Sequence, residues 1–140
     1  MQTKKKKDLV AIRLFPGEDV NEELKKACAL HEVKNALIVS GIGQLKKAKI
    51  GYFKSKNDYS PKEFEKPLEI LSLSGNITKE KDEYNFHIHV ILGDEEKNAI
   101  GGHFIQGTIG VTGEIFLLKT DIGLKRKLDE DTGLKALLIE

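Results

Sequence analysis

Between residues 68 and 118 the chain falls into four runs rich in large apolar residues: 68–77, 84–92, about 99–106 and 108–118. Only connectors that are charged or contain glycine separate them. Runs of this kind with such short connectors pair as antiparallel hairpins. The earlier chain adds to the set. "DLVAIRLF" (8–15) alternates and stops at "PGED", a turn with Pro16 and Gly17. "NALIVSGIGQL" and "AKIGYF" read as two further strands, and residues 135–139 as a last short one. Helical spacing occurs once, where Val20, Leu24, Ala27, Cys28 and His31 recur in "DVNEELKKACALHEV" with Asp19 placed to cap. One main helix against many hairpin-linked strands predicts an α+β fold, a mostly antiparallel sheet in a single compact domain. At 140 residues the chain is long enough to bury a core without covalent staples.

Several function classes drop out early. Gly41 and Gly43 resemble the start of a dinucleotide-binding loop, but Lys46 stands where the third glycine belongs and strand follows rather than helix. No apolar run approaches the roughly 20 residues of a membrane helix, and the N-terminus has no small-residue cleavage site. One cysteine excludes an intramolecular disulfide framework, and Cys28 occupies a small apolar position of the helix. The expected location is the cytoplasm, with no membrane partner. His31, near the helix end, reads as a structural cation complementing the dipole. "KSKNDYSPKEFEK" (54–66) reads as a surface loop.

Charge narrows the choice of partner. Lys4, Lys5, Lys6 and Lys7 form a basic run, yet 23 basic residues face 22 acidic ones, and only Arg13 and Arg126 are arginines. Arginine is the usual reader of guanine edges, whereas lysine serves to neutralise phosphates. Residues 1–7 therefore read as a basic, flexible, solvated tail ahead of a domain at 8–140. Any DNA contact through Lys4–Lys7 would be weak and non-specific.

The histidines are distributed less evenly. Alternation within 84–92 puts Phe86, Ile88, Val90 and Leu92 on one face and Asn85, His87, His89 and Ile91 on the other. With "GDEEKN" as the next loop, Leu92 pairs with Ile100 and Ile88 stands opposite Phe104, a register that brings His103 across from His89. With "TKEKDE" as the preceding loop, Leu71 and Leu73 oppose Val90 and Ile88, so Ser72 faces His89 and Ser74 faces His87. Three of the four histidines then share one side of three neighbouring strands. Neutral imidazoles are the commonest transition-metal ligands, and three plus an open position is a catalytic-zinc pattern. His87, His89 and His103 are thus candidate ligands for zinc or another divalent transition metal, with Gly101 and Gly102 permitting close approach of backbone or ligand.

A family resemblance adds to this reading. "RLFPGEDV", "SGIGQLKKAKIGYF", "LEILSLSGNIT", "HIHVIL", "GGHFIQGTI" and "TGLKALLI" resemble, in order and spacing over about residues 10–139, the plants-and-prokaryotes-conserved (PPC) domain in its prokaryotic single-domain form. The resemblance implies an α+β domain that assembles as a homotrimer, with metal at His87, His89 and His103. It also implies kinship with plant AT-hook DNA-binding proteins. This chain has no "RGRP"-like AT-hook, and where plant members carry "GRFEIL" it has "KPLEIL" (66–71), keeping only Glu69, Ile70 and Leu71.

Three classes of function follow. The chain reads first as a trimeric, metal-binding regulatory or binding module. The alternative is a zinc-dependent enzyme using a water held by the three histidines, for which Ser72 and Ser74 would be neighbours. No carboxylate falls on the expected site face; Glu69 and Glu114 would approach only with other strand faces. Metal-free chemistry through Ser74 and His87 comes last, lacking an acidic orienter and a nucleophile elbow.

Overall fold

Alternation is translated into strands almost everywhere in the computed structural model, which describes residues 1–140. The elements are β1 (Gln2–Lys6), β2 (Leu9–Leu14), α1 (Val20–Leu30), β3 (Asn35–Gly51) and β4 (Lys62–Phe64). They continue with β5 (Leu68–Glu80), β6 (Glu83–Gly93), β7 (Ala99–Thr120), β8 (Leu124–Leu128) and β9 (Lys135–Ile139). Seven strands form one antiparallel sheet in the order β1-β2-β7-β6-β5-β3-β4. Because β3 also pairs with β7, the strands β3, β5, β6 and β7 close into a circuit. Their inward side chains, including Leu45, Ile70, Leu73, Ile88, Leu92 and Leu117, join one apolar core. Helix α1 buries Val20, Leu24, Ala27 and Cys28 in the same core. Its Asp19 cap accepts the Glu22 backbone N–H at 3.0 Å, one of the donors a helix start leaves unpaired. Burial pushes the Cys28 thiol up to about 12, so it packs as a small hydrophobe. The expected α+β fold is what the chain adopts.

Three local expectations need correction. Residues 1–7 are not a flexible tail. Gln2–Lys6 pair with Leu9–Arg13, Lys7 supplies the left-handed turn residue at φ 53°, and the terminal ammonium binds Glu18. Strands expected as pairs are continuous: β3 spans both runs expected between residues 35 and 53, bent at register shifts such as those at Gly43–Leu45 and Lys49–Ile50. Likewise β7 runs through Gly107. A Cβ on Gly107 would stand 2.8 Å from Phe104 Cζ, so this glycine clears space for an aromatic ring instead of making a turn. The stretch 54–66 is mainly loop but contributes β4, and β8 joins β9 in a separate two-stranded sheet. No helix is long and apolar enough to cross a membrane.

Candidate metal centre

The three histidines converge as the β6–β7 register requires. His89 is directly opposite His103, with Leu92 opposite Ile100 two apolar positions further on. His87 and His89 project from the face of β6 opposite buried Ile88 and Val90. The ring centroids lie 5.2 Å apart for His87–His89, and 5.6 Å apart for both His87–His103 and His89–His103. One ligand nitrogen from each residue lies within 4.8 Å of the other two.

The β5–β6 pairing differs from the expected one. A tight turn with Lys81 at φ 53° replaces the six-residue loop, and Glu80 pairs with Glu83. A register shift between Ile70 and Ser72 changes the offset only further along, at Ile70 and Glu69. Ser74 therefore faces His89, Asn76 faces His87, and Ser72 lies opposite Ile91. The Ser74 hydroxyl has no hydrogen bond to either histidine, so the expected Ser74–His87 pair does not form. Glu69 stands opposite Gly93 and accepts from the Gln44 amide at 2.7 Å; Glu114 stands opposite Arg13. Neither carboxylate lines the cleft beside His87 and His103.

Gly101 and Gly102 are needed by the backbone. A Cβ on Gly102 would lie 2.6 Å from the Gly51 carbonyl oxygen, and one on Gly101 would lie 2.7 Å from that of Val90. These glycines draw β7 against β3 and β6 immediately before His103.

His87 and His103 line one end of a cleft of about 750 Å³ roofed by the β8–β9 sheet. Three of its groups escaped the sequence reading. Tyr59, from the loop read as plain surface, tilts over His103 with ring centroids 5.2 Å apart. Asn76 accepts a hydrogen bond from the Arg126 guanidinium, and Arg126 also donates to the Lys135 carbonyl at 3.3 Å. Only the sheet register and a contact spanning 50 residues bring Asn76 and Arg126 to His87.

Burial and neighbouring charge disfavour the cationic forms of His87 and His103. Burial, then the Arg126 charge and His89, pulls the His87 pKa below the ordinary histidine value. Burial, then His87 and His89, does the same for His103. A neutral imidazole can offer a lone pair to a metal. Moreover, Nδ1 of His103 is buried without a hydrogen-bond partner, an arrangement that carries a cost unless something fills it. The donor set is all nitrogen, which suits zinc, copper or nickel better than magnesium or calcium. The residues fit a transition metal.

The other expected site does not form a patch. Lys4, Lys5 and Lys6 lie along edge strand β1 and Lys7 in its turn, so alternation sends neighbouring lysines to opposite faces. His31 caps the end of α1 as expected, in surroundings that disfavour its cationic form. Burial, Lys5 and Lys119 lower its pKa, and its Nε2 lies 3.0 Å from Thr3 Oγ1.

Known proteins share this architecture. A candidate DNA-binding protein from Bacteroides thetaiotaomicron superposes with a TM-score of 0.90 at 23% identity, covering 97% of this chain and 95% of its own. At that identity the likeness is one of fold. A metal-containing protein from Archaeoglobus fulgidus superposes with a TM-score of 0.83 at 32% identity, covering 98% of this chain and 95% of its own. The bifunctional protein GlmU of Synechococcus sp. (strain JA-3-3Ab) is 30% identical over 131 residues, 92% of this chain. The chain spans only 20% of that relative's length. The family model of the Plants and Prokaryotes Conserved (PCC) domain matches residues 1–121, from β1 through the end of β7 and including all three clustered histidines. The chain therefore belongs to the Plants and Prokaryotes Conserved domain family.

Proposed function

We propose that this chain is a self-associating, metal-binding module in which His87, His89 and His103 hold one divalent transition metal, zinc first among the choices. The carrying observation is the convergence of three imidazole nitrogens within 4.8 Å. The partnerless, buried Nδ1 of His103 and the metal-containing relative from Archaeoglobus fulgidus support the reading. A zinc ion held there would supply Lewis acidity to an oxygen-bearing ligand. Around it the chain supplies binding groups: the Arg126 guanidinium, the Asn76 amide and an aromatic wall.

A homotrimer is the proposed assembly. The outer face of the sheet carries exposed apolar residues in a row, Leu9 opposite Leu118 and Leu118 opposite Leu37. The same row continues through Asn76 to His87. Val39, 59% exposed, extends the apolar area. Such a patch is the kind of surface that a second copy covers, and a closed ring would cover it in every copy.

Binding is favoured over catalysis because the cleft beside the histidines is lined by a single carboxylate, Asp129, to serve as general base. Asp129 lines the cleft, but its Oδ1 accepts the backbone N–H groups of Asp131 at 2.9 Å and Thr132 at 3.4 Å. A zinc-dependent enzyme is the second reading, favoured by the size of the cleft beside the histidines.

Elemental analysis of untagged protein at about pH 7.5, where imidazoles are neutral, tests the metal. Zinc near one per chain is expected, and alanine at His87, His89 or His103 should each remove it. Wild-type protein that never takes up zinc, or three variants that all retain it, would overturn the reading.

A further inference from the structure

The cleft holds a cation whose guanidinium hydrogen bonds go only to neutral acceptors. Arg126 makes no ion pair: its guanidinium donates to the Asn76 amide oxygen and the Lys135 carbonyl, both neutral acceptors. The Glu80 charge favours the guanidinium from nearby, but its carboxylate is engaged by the Arg126 backbone N–H, at 2.6 Å from Oε1. Two of the five guanidinium N–H donors are used, so three remain for a ligand. Lys135 adds a second positive charge to the lining; its Nζ reaches only the Asn85 amide oxygen, at 3.4 Å. Asp129 is the one acidic residue in the lining, and its Oδ1 is engaged by its own turn.

A half-buried guanidinium held only by neutral acceptors is suited to an anion from outside, and its planar fork matches a carboxylate or phosphate. Apart from Asn76, Asn85 and Thr132 the rest of the wall is apolar or aromatic, with Tyr84, Phe86, Leu134 and Leu137 facing a space large enough for a small organic molecule. Arg126 and the apolar β9 residues come from the C-terminal segment, beyond residues 1–121 matched by the family model.

We infer that the cleft binds a small organic acid, its oxyanion held between Arg126 and the histidine centre and its apolar body against the aromatic and leucine wall. This inference rests on the metal reading for one half of the oxyanion site and on Arg126 for the other.

Isothermal titration calorimetry of the full chain, zinc-loaded and chelator-stripped, with benzoate, neutral benzamide and inorganic phosphate tests it. Benzoate should bind the zinc-loaded protein at least about tenfold more tightly than benzamide, as expected for a hydrogen bond to a charged group. Phosphate should bind more weakly than benzoate, having no apolar body. Arg126→Gln should lose about tenfold in benzoate affinity while keeping its zinc, and Arg126→Lys should fall between. Equal binding of benzamide and benzoate by wild type overturns the inference whether or not the variants fold. Unchanged benzoate affinity in zinc-retaining Arg126→Gln, or phosphate binding as tightly as benzoate, does so too. If the protein never takes up zinc, the metal reading fails by itself. Preference for benzoate that depends on Arg126 in the stripped protein would still uphold the anion site.

Discussion

His89 faces His103 across the β6–β7 ladder, and the residue just before His103 has no room for a side chain. The two facts belong together. A Cβ on Gly102 would stand 2.6 Å from the Gly51 carbonyl oxygen, and Gly51 is itself the β3 partner of His103. Gly102 thus sets how closely β3 and β7 approach at the histidines.

Gly102→Ala should accordingly force the two strands apart. Overpacking of this kind costs about 1–3 kcal/mol, and we expect zinc occupancy to fall with the thermal midpoint. Matched thermal melts and metal analyses of wild type and variant check it. Wild-type stability with full zinc occupancy would mean that the strands separate there without consequence.

Behind the histidines, the buried face of β6 is the second support. Ile88 lies between His87 and His89 in sequence, points into the core and is 1% exposed. Ile88→Ala should destabilise the fold by about 2–5 kcal/mol through lost burial and a residual cavity. Denaturant unfolding with unchanged m-value would measure it. A loss below about 1 kcal/mol would show that the neighbouring core collapses into the gap.

What the sequence revealed of this site depended on the connectors. The β6–β7 register was legible because Leu92 and Ile100 mark its apolar face on both sides of one loop. The β5–β6 register was not, because "TKEKDE" contains no glycine or asparagine to mark a tight turn. The tight turn at left-handed Lys81 moves the pairing by two residues, and the shift at Ile70–Ser72 alters it only beyond Ser72. Period-two alternation cannot detect an even slip, since every side chain keeps its face. The consequence was chemical: a serine was expected opposite His87 where Asn76, the anchor of Arg126, stands. Tyr59 and Arg126 reach the histidines through the tertiary fold and leave no local pattern. The lysine run was misread for another reason, since charge composition suggests solvation but does not forbid an edge strand, where lysines also discourage unwanted pairing.

The β1–α1 contact should respond to pH. Burial, with Lys5 and Lys119, lowers the His31 pKa in the folded chain. The unfolded chain then takes up the proton first as pH falls below about 6.5. Any stability carried by this residue is present above that value and lost as pH falls through the lower folded pKa. The Thr3 hydroxyl donates to the Ala11 carbonyl at 2.9 Å, so its oxygen is left to accept from neutral His31. Thermal midpoints of chelator-treated wild type and His31→Gln between about pH 7.5 and 5.5 should converge towards the acid end. Parallel curves would place the pH dependence elsewhere.

Assembly can be tested through the apolar row. Light scattering coupled to size exclusion should give about three times 15.7 kDa for wild type. Leu37→Lys with Val39→Lys puts charges where two exposed apolar side chains stand, 45% and 59% accessible in the single chain. A desolvated, unpaired charge is costly at an interface, so the double variant should run as a monomer with unchanged secondary structure. A trimer that survives both substitutions would place the interface on another face, and a wild-type monomer would end the trimer proposal.

The lysine strand gives the last prediction. Lys4, Lys5 and Lys6 sit on an ordered edge strand, and alternation divides them between its two faces. A phosphate backbone could meet only part of the set at once, so few counter-ions would be released on DNA binding. We therefore expect a Kd for duplex DNA no tighter than about 10⁻⁶ M at physiological salt, with a shallow salt slope and little preference among sequences. Deleting residues 1–7 would remove β1 and its ties to Ala11 and Glu18, confounding charge with folding. Glutamine at Lys4, Lys5, Lys6 and Lys7 is the cleaner change, because it retains side-chain length on a strand whose pairing is backbone to backbone. Fluorescence anisotropy against two unrelated duplexes should find the residual binding reduced in the quadruple variant, equally for both. Nanomolar, sequence-selective binding that survives all four substitutions would move the DNA contact to another surface and overturn the electrostatic reading of this strand.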